Sequence, residues 1–224
     1  DRYFTNIAWS PDSKTVYMFE LNRDQNDCQL VSYNATTGQR LAMLDEEKSE
    51  KYVEPLHPIQ FLPWDADKFI MQSQKDGYNH LYLLDINGKE LKPLTQGSWV
   101  VQEVLGFNAK QKSIIFEANK YHPLHRQLYS VNVSNGKLTE LTASDGVHHG
   151  VLSSSGNYVI DRHSAPTQPR NISVFTVSSS SAAGKSVRLL TAEDPWNGYE
   201  QPILKCGTIK AADGITDLYY RMVK

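Results

Sequence analysis

Apolar residues along the chain gather into short runs separated by polar turns, and the runs recur in one order four times. An aromatic or aliphatic residue opens each unit, at Trp9, Phe61, Phe107 and Leu152. After a polar turn come Val16-Tyr17-Met18-Phe19, Phe69-Ile70-Met71, Ile114-Ile115-Phe116 and Tyr158-Val159-Ile160. A third run reads Leu30-Val31-Ser32-Tyr33, Leu81-Tyr82-Leu83-Leu84, Leu128-Tyr129-Ser130-Val131 and Ile172-Ser173-Val174-Phe175. Each leads to a turn glycine (Gly38, Gly88, Gly136, Gly184) and then to a last short run, ending at Leu44, Leu94-Thr95, Leu141-Thr142 and Leu190-Thr191. The leucines of those last runs stand 50, 47 and 49 residues apart.

Short β-rich runs bounded by Gly, Asn and Asp predict antiparallel four-stranded sheets. Aromatic and β-branched residues fill them because such side chains pack well on a pleated, buried face. One such sheet cannot bury both faces alone, but a radial stack of them can. The period fits propeller blades and not the shorter helical repeats. The fold class is therefore all-β, a partial β-propeller of four four-stranded blades over residues 1–191. An all-β sandwich with accidental hairpin similarity is the weaker alternative. Residues 192–224 hold a turn-rich stretch, then strand-like runs at 201–210 and 218–224 around Ala212-Asp213-Gly214, which read as linker strands. Helix content should be low, and the one candidate for a short helix or loop follows Asp45 through to Tyr52. Four blades cut from a closed ring would expose two apolar faces, so the segment alone is expected to self-associate or to close on itself with strain.

Trp9-Ser10-Pro11-Asp12-Ser13-Lys14 is similar to a strand turn of propellers in the prolyl oligopeptidase group and in TolB-like proteins. Further along stand Glu20-Leu21-Asn22-Arg23-Asp24-Gln25-Asn26, Val53-Glu54-Pro55-Leu56-His57-Pro58 and Asp76-Gly77-Tyr78-Asn79-His80-Leu81-Tyr82. Leu94-Thr95-Gln96-Gly97-Ser98-Trp99 and Val104-Leu105-Gly106-Phe107 follow in turn. Taken in this order, across essentially the whole chain, they resemble the propeller of bacterial dipeptidyl peptidase IV. The resemblance implies an eight-bladed propeller preceding an α/β-hydrolase domain with a Ser-Asp-His triad. It implies an exported enzyme, periplasmic or on the cell surface, that removes dipeptides from peptide amino termini with proline or alanine second. This chain would be the later half of that propeller, and Leu218-Tyr219-Tyr220-Arg221-Met222-Val223-Lys224 the lead-in to the hydrolase domain. Its implied partners are peptide substrates, the earlier blades and the hydrolase domain. Two other readings stand beside it: a non-catalytic TolB-like platform for protein binding, and a prolyl tripeptidyl peptidase.

The chemistry of cleavage is not written in these residues. A hydrolase of this type needs a G-x-S-x-G elbow to hold its serine on a sharp strand-to-helix turn. No such motif occurs, and Gly150-Val151-Leu152-Ser153-Ser154-Ser155-Gly156 has the wrong spacing. The family anchors a substrate's amino terminus on paired glutamates, because carboxylates accept strong charge-assisted hydrogen bonds from an ammonium. Glu46-Glu47 do not carry that role over, since the family's pair lies in an earlier blade. Residues 45–51 are expected to be a solvated loop or helix face. The better candidates are Tyr52, Glu54, Leu56 and His57, in a connector stiffened by two prolines that the resemblance brings near the substrate's far end.

The remaining signals mostly exclude. Lys and Arg number 23 against 25 Asp and Glu, a net charge of −2, which speaks against a nucleic-acid binder. Apolar runs fall far short of the roughly 18 residues that span a bilayer. His122-Pro123-Leu124-His125 and His148-His149 lack the convergent spacing of a metal site, and no Gly-rich phosphate loop is present, so no cofactor is expected. Cys28 and Cys206 could form at most one disulfide, which sequence does not place. Asn34, Asn132 and Asn171 fit the glycosylation acceptor but are read as turn formers. Trp99 and Trp196 have two readings, aromatics of a binding surface or side chains buried between blades, the second being the commoner outcome.

Overall fold

The structure, a computed structural model, describes residues 1–142, 145–166, 168–177 and 186–224. The turn glycine expected at Gly184 lies outside the described residues. The first sheet contains β1 (Arg2–Trp9), β2 (Thr15–Asn22), β3 (Asp27–Asn34) and β4 (Arg40–Lys48). The second contains β5 (Gln60–Leu62), β6 (Asp65–Ser73), β7 (His80–Asp85) and β8 (Glu90–Pro93). The third contains β9 (Val101–Asn108), β10 (Ser113–Ala118), β11 (Gln127–Asn132) and β12 (Leu138–Glu140). The fourth contains β13 (Val147–Leu152), β14 (Tyr158–Ala165), β15 (Gln168–Thr176) and β16 (Ser186–Thr191). Each is an antiparallel meander in chain order, and β17 (Leu204–Lys210) pairs with β18 (Asp217–Val223) as a separate hairpin. The protein is an open, partial propeller of four blades plus a C-terminal hairpin. No helix of the described residues is long and apolar enough to cross a membrane.

The repeat has a local cause. Asn34, Asp85 and Asn132 each end the third strand of a sheet and accept a backbone N–H two residues on at 2.9 Å. The glycine that follows, Gly38, Gly88 or Gly136, has positive φ and donates back to the carbonyl of the same Asn or Asp. A carboxamide or carboxylate that mimics a turn, plus a residue free to take the left-handed region, reverses the chain at the same place each time.

Three apolar layers then join the four sheets. Tyr17, Phe19, Leu21 and Leu30 of the first sheet pack on Phe69, Met71, Tyr82 and Leu84 of the second. The opposite face of the second sheet, with Ile70, Leu81 and Leu83, meets Trp99, Ile114, Phe116 and Tyr129. Ile115 and Leu128 then meet Val159 and Phe175 of the fourth. The continuous run Leu81-Tyr82-Leu83-Leu84 is thus apolar at every position because alternate side chains enter different layers. The first and fourth sheets bury one face and leave Phe4, Ile7 and Met43, and Tyr158, Ile160 and Val187, exposed.

Three expectations need correction, and the question left open at the cysteines has an answer. Asp45 to Lys48 lie in β4, not in a helix, because they continue the pairing of Arg40–Lys48 with β3. Trp196 is 47% exposed, since it follows β16 in a turn rather than entering a layer. Asn171 is a buried strand residue of β15, unlike the turn formers Asn34 and Asn132. The two cysteines are both free: Cys28 is buried, with its thiol pushed up to about 12 chiefly by burial, and Cys206 is exposed on the hairpin.

Candidate functional site

In a four-stranded meander, the turn between the second and third strands lies at the same end as the connector to the next sheet. Backbone hydrogen bonds tie these segments together along the array. Val53 N–H donates to Gln25 O at 2.8 Å, Val101 N–H to Asn79 O at 2.9 Å, and Arg126 N–H to Gly146 O at 3.1 Å. The connector of residues 49–59, the loop of residues 119–126 and the entry to β13 therefore lie at one end of the sheets.

The expected site residues sit on the first connector. In β1 the register shifts between Thr5 and Ala8, and Asn6 takes a φ of 53°. That bulge aims Asn6 Nδ2 at Pro55 O, 2.6 Å away, and so fixes the middle of the connector. Along residues 52–56 exposure then alternates. Val53 and Pro55 turn inward, while Tyr52 (63% exposed), Glu54 and Leu56 face solvent and His57 is half-buried. The result is a stiff lip with an aromatic ring, an aliphatic side chain and a carboxylate, suited to contacting an extended peptide.

The charged segment before it is only partly solvated. Glu46 and Lys48 are exposed and pair at 2.9 Å, whereas Asp45 and Glu47 turn towards the second sheet. Lys75 bonds Glu90 and lies 4.1 Å above the Tyr82 ring, whose hydroxyl donates to Asp76 Oδ2 at 2.7 Å. Burial is the main cause of raised carboxyl pKa values at Asp45 and Glu47. A carboxyl whose folded pKa is raised lends stability below its unfolded pKa and loses it as pH climbs through the folded one. Glu47→Gln should therefore stabilise the protein at pH 7 by about 0.5–1 kcal/mol, with the gain vanishing below about pH 4. Urea midpoints at both pH values check this, and an equal effect at each would contradict it.

A cleft of about 640 Å³ opens at the same end, between the 119–126 loop, the β14–β15 turn and the hairpin. His122 and Tyr219 meet edge to face at 5.5 Å, and His122 and His125 lie 4.7 Å apart. Cys206, Tyr220 and Arg221 complete the hairpin wall. Burial, then the neighbouring His122, depresses the His125 pKa, so its imidazole stays neutral to lower pH than usual. No group of three or more His, Cys, Asp or Glu among the described residues converges as metal ligands. Two imidazoles, two phenols and a guanidinium can instead stack on and hydrogen-bond to a peptide. Sequence reading noted the histidines and the Tyr-Tyr-Arg strand separately, but their juxtaposition depends on how the hairpin folds back.

Two buried polar groups lay beyond sequence reading. Glu117, 3% exposed in β10, accepts from Arg126 Nη1 and from Gly150 N, each at 2.8 Å, and so joins the third sheet to the fourth. A lone glutamate after Ile114-Ile115-Phe116 was the available signal. In the fourth sheet Asp161 Oδ2 holds His148 Nδ1 at 2.8 Å, and the His148 and His163 rings stack at 4.1 Å. This Asp–His pair has the form of an orienting pair in a hydrolase, but both residues are buried in the sheet.

Comparison with known proteins adds the family. The sequence profile described as "Dipeptidyl peptidase IV (DPP IV) N-terminal region" matches residues 1–170. The crystal structure of a protein assigned as a dipeptidyl aminopeptidase IV from Bacteroides ovatus superposes with a TM-score of 0.91 at 48% identity, covering 100% of this chain and 34% of that one. Porphyromonas gingivalis dipeptidyl peptidase 4 gives 0.84 at 23% identity, covering 100% and 31%, and shares the fold. Dipeptidyl peptidase 4 of Trichophyton tonsurans is 24% identical over 225 residues, 96% of this chain and 28% of its own length. The chain thus spans about a third or less of the relatives it matches.

Proposed function

The chain belongs to the dipeptidyl peptidase IV N-terminal region family, and from that premise we propose that it gates and positions peptides for an exported serine exopeptidase releasing Xaa-Pro and Xaa-Ala dipeptides. The observation that carries this reading is the convergence of the stiff 52–57 lip and the 640 Å³ cleft on one end of the sheets, with the hairpin forming one wall of the cleft. Residues 192–224 then serve as the strands leading into an α/β-hydrolase domain that supplies nucleophile, base and oxyanion donors. The propeller contributes binding energy remote from the reacting bond, which limits which peptides reach it and how they lie.

Kinetics of the full-length parent enzyme test the lip. Tyr52→Ala combined with Leu56→Ala should raise KM for peptides of several residues by about 3–10-fold and leave kcat on a short dipeptidyl chromogenic substrate unchanged. His57→Ala should act in the same direction and more weakly, because His57 is only half-exposed. Unchanged KM for long peptides would remove the lip from substrate handling.

A further inference from the structure

The opposite end of the third sheet carries a second, chemically different groove of about 310 Å³, lined by Gln111, Ser113, Ser130, Asn132, Asn135, Lys137 and Thr139. Every lining side chain is polar, one is cationic, and no carboxylate is among them. Strand register explains the grouping. Ser130 stands directly across from Thr139, and Ser113 from Asn132, so hydroxyls and a carboxamide form a ladder over three adjacent strands. Ser113 shares a face with Ile115, and Ser130 with Leu128, so the ladder continues the layer between the third and fourth sheets where its apolar part stops.

The hydrogen-bond inventory gives the groove a sign. Asn132 Oδ1 accepts from Ser134 N and Asn135 N, and Asn135 Oδ1 accepts from Lys137 N. Those acceptors are spent within the turn. Gln111 is braced by donating from Nε2 to Val177 O at 2.9 Å, which closes the groove towards the fourth sheet. Ser113 is only 4% exposed, and its Oγ is buried with no hydrogen-bond partner. A native buried hydroxyl without a partner calls for an explanation, because leaving it unpaired costs stability. The amide donors are committed as well, Asn132 Nδ2 to Gln111 O and Gln111 Nε2 to Val177 O, so the hydroxyls of Ser113, Ser130 and Thr139 beside the Lys137 side chain are what the groove offers an anion.

We propose that this groove binds a small tetrahedral oxyanion, a phosphate or phosphate monoester, with Ser113, Ser130 and Thr139 donating to its oxygens and Lys137 balancing its charge. The volume exceeds that of the ion, so the oxyanion has room to belong to a hydroxylated small molecule. The site is separate from the peptide-handling end and does not rest on the function proposed for it.

Thermal unfolding of the 224-residue chain, at constant ionic strength and with ligand below about 20 mM so that general stabilisation by excluded salts stays small, tests the proposal. Three probes are compared: chloride, inorganic phosphate and glucose 6-phosphate. The expected result is a saturable rise in Tm with phosphate and none with chloride. A larger rise with glucose 6-phosphate would assign the site to phosphorylated sugars, and an equal one to the free ion. Ser113→Ala and Lys137→Gln should each weaken the apparent affinity at least about tenfold. Ser113→Ala also removes an unpaired buried hydroxyl, so its Tm without ligand should be unchanged or higher, which separates lost binding from lost folding. Equal shifts with phosphate and chloride, or a phosphate shift that survives both substitutions, would overturn the proposal.

Discussion

Gly88→Ala will destabilise the protein by about 3–4 kcal/mol, whereas Gly38→Ala at the equivalent turn of the first sheet will cost about 1 kcal/mol. Both glycines have positive φ, +84° and +69°, so both alanines pay for a left-handed backbone. The difference lies in what surrounds them. A Cβ on Gly38 meets nothing within 4 Å, while one on Gly88 would lie 2.2 Å from the carbonyl oxygen of Leu44, on the last strand of the preceding sheet. Backbone cannot rotate aside as a side chain can, so the first and second sheets must move apart at a point where Leu44 is buried. Chemical unfolding of the two variants measures the gap. Equal losses would mean that the glycines serve only their own turns and that the sheets do not approach closely there.

Arg126→Met will cost about 2–3 kcal/mol, because it strands the Glu117 carboxylate between the third and fourth sheets. Arg126 is itself 30% exposed on its side chain, which lets water screen part of the loss and places the effect below that of a fully buried pair. Glu117→Gln should cost less, about 1–2 kcal/mol, since its carboxamide oxygen can still accept from Gly150 N. The double variant should then be no worse than Arg126→Met alone, because no buried charge remains unpaired. The backbone of Arg126 also bonds to Gly146 and His148, so the same residue stitches the sheets twice. Additive losses in the double variant would show that the two side chains act independently.

Much of this architecture is legible in the residues because its causes are local. The sheets announce themselves in runs such as Ile114-Ile115-Phe116, and their spacing in the recurrent Asx-turn and glycine after the third strand of each of the first three sheets. That sheets stack on both faces follows from Leu81-Tyr82-Leu83-Leu84, which has no polar side to offer water. What stayed hidden depends on partners distant in sequence. Asp45 to Lys48 reads as a solvated charged segment, but pairing with β3 makes it a strand and turns Asp45 and Glu47 towards a neighbouring sheet. Trp196 reads in sequence as either a buried or a binding-surface tryptophan and is exposed, because nothing in its own turn states whether a layer will cover it. The 52–57 connector stands out in the sequence by its two prolines and Tyr52, yet the Asn6 bulge that anchors it lies some fifty residues earlier. The cleft required the hairpin to fold back on the 119–126 loop, which no local pattern encodes.

The central claim, that this chain positions peptides for a dipeptide-releasing serine exopeptidase, is tested most directly by assaying the full-length parent protein. Substrates with a free amino terminus and proline or alanine in second place are compared with the same peptides acetylated at that terminus. The account predicts release of the amino-terminal dipeptide from the free peptides, none from the acetylated ones, and loss of activity on serine-directed covalent inhibition. A parent protein that cleaves neither set, or that cleaves both alike, would contradict it.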